Sequence, residues 1–197
     1  MKLIPLLWLF VIALVFLSSC ENKPGEIKYY YAVDSLLKNQ TKFLSTSKAK
    51  LTKEAFIDGE TESRSYVPKT DTAWQFELDV FAQLNDINKS TNVGKYRTAR
   101  AVKDLNSNLL IYTIESTEKL PVSFLKVYYL DNLSNIRKIE GLYREESSLL
   151  TSSRHLAMEF QNINNKIVLT SYSIQGGQKM LLGDSVTFSV HGMVTLP

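Results

Sequence analysis

Apolar residues change their spacing several times along this chain, and each change predicts an element. An unbroken apolar run from Leu3 to Leu17 comes first. After a polar stretch, Ile27, Tyr30, Tyr31, Leu37, Phe43 and Leu44 recur at roughly helical intervals, with Lys28, Lys38, Gln40 and Lys42 between them. That spacing predicts an amphipathic helix over 27–47. Its apolar stripe must face a core, so Tyr29-Tyr30-Tyr31 is expected to pack on a sheet, the alternative being an aromatic anchor at a membrane interface. Between 50 and 66 the flanks become β-compatible around Asp58-Gly59, a pair suited to the positive φ angles of a type I′ turn, and a hairpin is expected there. A second helix takes its cap from Asp71 or Thr72. Trp74, Leu78, Phe81 and Leu84 then share one face, with Gln75, Glu77, Asp79 and Gln83 elsewhere, and the helix ends near Asn85 in a polar loop.

From Tyr96 onward the pattern becomes short β-rich runs separated by turn residues, predicting strands over 96–103, 109–116, 122–130, 136–145, 155–161, 166–174 and 185–195. Asn162 to Asn165 and Gly176-Gly177 read as turns or bulges between them. Short connections make consecutive strands antiparallel neighbours. The runs at 109–112 and 124–130 are apolar at both parities, as expected of strands covered on both faces, whereas Leu156, Met158 and Phe160 alternate, as do Val186, Phe188 and Val190. The fold class expected is α+β: a curved antiparallel meander of about seven strands plus a small hairpin, with two N-terminal helices packed on its concave face.

The opening run changes the picture of where the chain works. Lys2, 15 apolar residues and the small pair Ser18-Ser19 before Cys20 make a secretory signal peptide, too short for the roughly 20 residues that span a bilayer. Leu17-Ser18-Ser19-Cys20 resembles a bacterial lipobox, which implies cleavage before Cys20 and attachment of diacylglycerol, with a further acyl group such as palmitate, to that residue. Cys20 is the single cysteine, and acylation accounts for a thiol that would otherwise stand alone in an oxidising compartment. At about 0.8 kcal/mol per buried methylene, such chains hold a protein firmly on a membrane. The expected organisation is a signal peptide at 1–19, acylated Cys20 and a short tether at 20–25, and one domain over 26–197. Glu21 stands where an aspartate marks inner-membrane retention in some bacteria, so outer-membrane sorting is expected, facing the periplasm or the cell surface. Loss of 1–19 removes only Lys2 from 23 basic residues against 20 acidic ones, a balance without a nucleic-acid signal.

The stretch Trp74-Gln75-Phe76-Glu77-Leu78 to Phe81, followed by Asp86-Ile87-Asn88-Lys89, Lys95-Tyr96 and the late segment Tyr172-Ser173-Ile174-Gln175-Gly176-Gly177-Gln178-Lys179-Met180, resembles a family of uncharacterised Bacteroidota lipoproteins. The likeness implies the same address and a β-rich domain. The architecture also looks like that of lipoprotein-carrier half-barrels, in which helices lie inside a curved sheet and acyl chains are held between them. The lineage further implies O-glycosylation at Asp-Ser or Asp-Thr followed by a small or aliphatic residue, and Ser35, Thr72 and Ser185 stand in that setting. A helix cap explains Asp71-Thr72 and a turn Asp184-Ser185 equally well.

Catalytic constellations do not assemble from this sequence. Cys20 is assigned to the anchor, and the two histidines, His155 and His191, alternate away from their apolar neighbours and read as solvent-face residues without a nucleophile elbow. No His spacing suited to a metal occurs, and Glu159 is the carboxylate such a site would need. Glu60 with Glu62, and Glu145-Glu146, read as a wet strand face. No Gly-rich phosphate loop is present, and no cofactor is expected. Asp86, Asn88 and Lys89 form the candidate interaction loop, with helix termination as its structural alternative. The expectation is a non-enzymatic, lipid-anchored envelope protein that binds a partner protein or scaffolds an outer-membrane assembly. The alternative is a carrier or sensor of a hydrophobic ligand, which needs an unfilled apolar cavity.

Overall fold

The computed structural model describes residues 29–181 and 183–197; the expected signal peptide, Cys20 and the expected tether lie outside the described residues, as do Ile27 and Lys28 of the first expected helix. Asp58 and Gly59 adopt φ of 48° and 94° and fold Lys50–Ile57 (β1) back on Glu60–Tyr66 (β2), the hairpin expected from that dipeptide. The hairpin is not an appendage. Its β1 pairs along its length with the C-terminal strand Ser185–Thr195 (β9), so one nine-stranded sheet results. The remaining strands are Tyr96–Lys103 (β3), Leu110–Ser116 (β4), Val122–Tyr129 (β5), Ile136–Glu146 (β6), Leu150–Ile163 (β7) and Lys166–Met180 (β8). All neighbours are antiparallel, in the order β2-β1-β9-β8-β7-β6-β5-β4-β3, and the sheet is open.

Both edges discourage further pairing. Outer positions of β2 are charged or hydroxylic and exposed, and β3 carries Arg97, Arg100 and Lys103 with a bulge between Ala99 and Val102.

Two helices, Val33–Thr46 (α1) and Asp71–Ala82 (α2), cover one face. The first begins later than its apolar spacing predicts, because Asn88 takes the Tyr30 N–H and the Tyr31 carbonyl, so these groups are engaged outside any helical ladder. The second is capped by Thr70, whose hydroxyl accepts from Ala73 N at 3.1 Å, and not by Asp71 or Thr72. Beyond Ala82 the chain tightens into a 3₁₀ segment, Gln83–Asn88, which replaces the end of the expected helix at Gln83 and Leu84 and the polar loop expected from Asn85; it points Leu84 and Ile87 into the core.

The covered face is apolar in register. Gly192, Tyr172, Met158, Ile139, Val127 and Tyr112 form a buried row across six strands. Trp74, Leu78, Phe81, Leu84 and Leu44 close over it, and Phe81 meets the Tyr172 ring edge-on at 5.7 Å. Gly192 permits this: a Cβ there would lie 2.3 Å from the Tyr172 ring, which could no longer rest over β9. Gly176 and Gly177 lie inside β8, paired with Arg154 and Ser153, and are neither a turn nor a strand boundary. At Gly176 the cause is close approach, since a Cβ would sit 2.5 Å from the Ser153 carbonyl oxygen. Likewise β7 starts at Leu150, ahead of the expected His155, and its turn is confined to Asn164 and Asn165, with φ of 51° and 62°.

The opposite face of β4 and β5 has no second layer, contrary to the two-sided burial their composition suggests. Phe124 and Tyr128 are covered from beside: Lys126 lies over the Phe124 ring, Lys138 over Tyr128, and His155 against Phe124.

Candidate functional site

Three places are candidates: the 83–92 segment, the uncovered sheet face, and the space between helices and sheet. In the first, Asn88 is 1% exposed. Its carbonyl accepts from Tyr30 N at 2.9 Å, and its amide donates to the Tyr31 carbonyl and to Asn85 Oδ1. Asp86 pairs with Lys89 at 2.7 Å, and its backbone carbonyl accepts from Asn92 Nδ2. The side chain of Asn88 therefore fastens the N-terminal segment to the fold, while Lys89 stays largely in solvent.

The histidines stand on the uncovered face on β7 and β9, two strands apart. His155 is half-buried against Phe124 and His191 is exposed, in the row with Ser173 and Glu54. Among the described residues no group of three His, Cys, Asp or Glu side chains is placed to hold a metal ion. Glu60 and Glu62 are exposed on β2; Glu145 faces Arg154 at 3.8 Å, and Glu146 pairs with Lys119 at 2.5 Å. Ser35, Thr72 and Ser185 are all exposed, in the first turn of α1, the first turn of α2 and the first position of β9.

The uncovered face carries an ionic centre that sequence reading missed. Glu140 on β6 accepts from the Tyr128 hydroxyl at 2.6 Å and from Lys138 Nζ at 2.6 Å, with Lys126 Nζ at 3.9 Å. Burial by itself would raise this carboxyl, but the hydrogen bonds of Lys138 and Tyr128 and the charges of Lys138 and Lys126 together outweigh it and leave it lowered. Burial, with Glu140 beside it, pushes the Tyr128 hydroxyl up. A lowered folded value means stability that is present above the ordinary carboxylate value of 4.5 and lost as pH falls through the folded one. Glu140→Gln should therefore cost about 1–2 kcal/mol at neutral pH and flatten the acid limb of the stability profile, read by urea unfolding at stepped pH. An unaltered acid limb would show that Glu140 does not carry this linkage.

Above this centre, where the β4–β5 and β6–β7 connections meet, lies an open cleft of about 1020 Å³. Phe124 and Leu142 form its floor, Lys119 and Arg144 supply positive charge, and Glu115 and Glu118 negative charge. Such a mix of apolar floor and both signs of charge suits a polypeptide surface, and no nucleophile–base pair lines it.

On the covered side a second polar node joins α2 to the sheet. Glu77 pairs with Lys53 Nζ of β1 at 2.8 Å and accepts from the Tyr66 hydroxyl at the end of β2. Burial, aided by that hydrogen bond, raises Tyr66 to about 12. The space between helices and sheet is otherwise filled by buried side chains, Trp74, Leu84 and Ile87 among them. No helix of the described residues is long and apolar enough to cross a membrane. No protein-family model, curated protein or solved structure matches this chain.

Proposed function

We propose that this chain is a lipid-anchored envelope protein without catalytic activity, held at the outer membrane through acylated Cys20, whose domain binds a partner protein or scaffolds an assembly. The observation that carries the reading is the contrast between the two faces of the sheet. The helix-covered face is filled by large side chains, whereas the uncovered one presents an open, mixed-charge cleft over Phe124 and Leu142. A carrier of hydrophobic ligand, the competing reading, needs space where Trp74, Phe81 and Tyr172 lie. The lipobox-like tetrapeptide supports the anchor.

Two arms test the proposal in cells. Cys20→Ser should yield an uncleaved or soluble form that no longer fractionates with the outer membrane; unchanged processing and fractionation would remove the anchor. A photo-crosslinking residue at Ser123, on the cleft wall, should give a discrete protein adduct that Arg144→Glu abolishes. Absence of any protein adduct at Ser123 would remove the cleft as a partner-binding surface.

A further inference from the structure

Strands β6 to β9 outrun the rest of the sheet. The row Tyr143–Arg154–Gly176–Phe188 is the last to reach the ends of β1 and β5, at Ile57 and Val122. Beyond it β7 and β8 continue for four more residues to Leu150 and Met180, about 13 Å at roughly 3.3 Å per residue. The finger they form ends in exposed apolar side chains: Leu149 is 66%, Leu181 69% and Met180 53% exposed. Leu150 and Met180 are cross-strand partners pointing to one face, while Leu149 and Leu181, joined by a backbone hydrogen bond at 2.9 Å, form the next pair beyond them. Behind this end, on the helix side, Val186 and Ile57 are exposed as well.

We propose that the end of this finger enters the interfacial layer of the lipid bilayer on which the protein is anchored, giving the domain a second point of attachment and a fixed orientation. The inference rests on the anchoring reading above and deepens it. The two outermost pairs are apolar, and Leu149 and Leu181 stand beyond the ends of the strands, so the tip is an apolar end projecting past the sheet, the shape that enters a fluid apolar medium. Of the flanking charges, Lys119 is matched by Glu146 at 2.5 Å, and Lys179 pairs across the strands with Ser185, the residue that follows Asp184, so both signs of charge flank the tip. The chain also enters at the correct end. The Tyr30 ring rests on Tyr96, the first residue of β3, which pairs with Ser116 at the same end of the sheet as the finger. From there the nine residues back to Cys20 reach at most about 30 Å, so anchor and tip are able to touch one surface.

Vesicle flotation tests this with the chain from Glu21 onward, which retains every described residue and lacks the acylated cysteine. On vesicles of phosphatidylethanolamine and phosphatidylglycerol, the unacylated chain should float. The pair Leu149→Ser and Leu181→Ser should lower the bound-to-free ratio roughly tenfold or more. Phe76→Ser, at a residue 79% exposed on α2, should leave it unchanged, and far-UV circular dichroism should find all variants folded. Failure of the unacylated chain to float, or equal loss with Phe76→Ser, would overturn the proposal. So would a dimer in sedimentation that the leucine substitutions dissolve, since the tip would then cover a second copy. Because Cys20 is absent from this assay, a failure here leaves the anchor to be judged by the Cys20→Ser fractionation alone.

Discussion

Truncating Trp74 to alanine is expected to lower the unfolding free energy by about 3–5 kcal/mol in urea titration. The side chain is fully buried on α2 at the centre of the core that binds the helix to the sheet, and its removal leaves a cavity that the surrounding strands cannot close. A domain stable by about 5–15 kcal/mol would lose a large share of its margin. Trp74→Phe should behave differently. The indole N–H is buried without a hydrogen-bond acceptor among the described residues, and deleting that donor recovers about 1–3 kcal/mol against the lost volume. Phenylalanine is therefore expected within about 1–2 kcal/mol of the parent. Equal losses in the two variants would mean that the indole has found an acceptor in solution.

Gln40→Met should cost about 2–4 kcal/mol with almost no change of volume, since it strips hydrogen bonds from two backbone groups at once. Strands β8 and β9 pair only as far as Ser171 and Met193, and nearer its start β8 has no neighbour on the β9 side. Gln40 of α1 occupies that place. Its amide donates to the Ile167 carbonyl at 2.9 Å, and its carbonyl accepts from Leu169 N at 2.8 Å. Amide hydrogen exchange should report the loss locally, with Leu169 accelerated well beyond its neighbour Val168. Uniform acceleration along β8 would instead show that the strand is held by its β7 pairing alone.

These residues also mark what could be read from the sequence. Elements defined by local rules were legible: the Asp58-Gly59 hairpin, the buried stripe of Trp74, Leu78, Phe81 and Leu84, and the bounds of β3 and β9. Elements defined by distant partners were not. Nothing near Gln40 or Asn88 announces backbone groups 127 and 58 residues away, and both residues look like ordinary helix-surface or loop polar groups. The run Thr151-Ser152-Ser153-Arg154 has little strand character, and becomes strand because β6 and β8 flank it. Gly176 looks like a turn when only the chain is visible; the Ser153 carbonyl on the neighbouring strand, with the Phe188 ring beside it, is what demands it. The pairing of β1 with β9 joins the two ends of the domain, a contact to which local periodicity is blind.

The cleft over Phe124 and Leu142 was hidden for the same reason. Its walls come from two connections, and its floor pairs Phe124, from a run expected to be covered on both faces, with Leu142 of the neighbouring strand. Gly141 ties the two faces together. A Cβ there would lie 2.6 Å from a Leu84 methyl carbon, so Leu84 from the 3₁₀ segment seats on β6 immediately before Leu142. The filled core thereby fixes the strands whose other side forms the cleft.

The most direct test of that contrast between a filled inner face and an open outer one is native mass spectrometry of the chain from Gly25 to Pro197, exported to a periplasm and purified without denaturant. The mass of the bare chain is expected. A stoichiometric added mass that disappears on organic extraction would contradict the account, because a lipid would then occupy space assigned to Trp74, Phe81 and Tyr172.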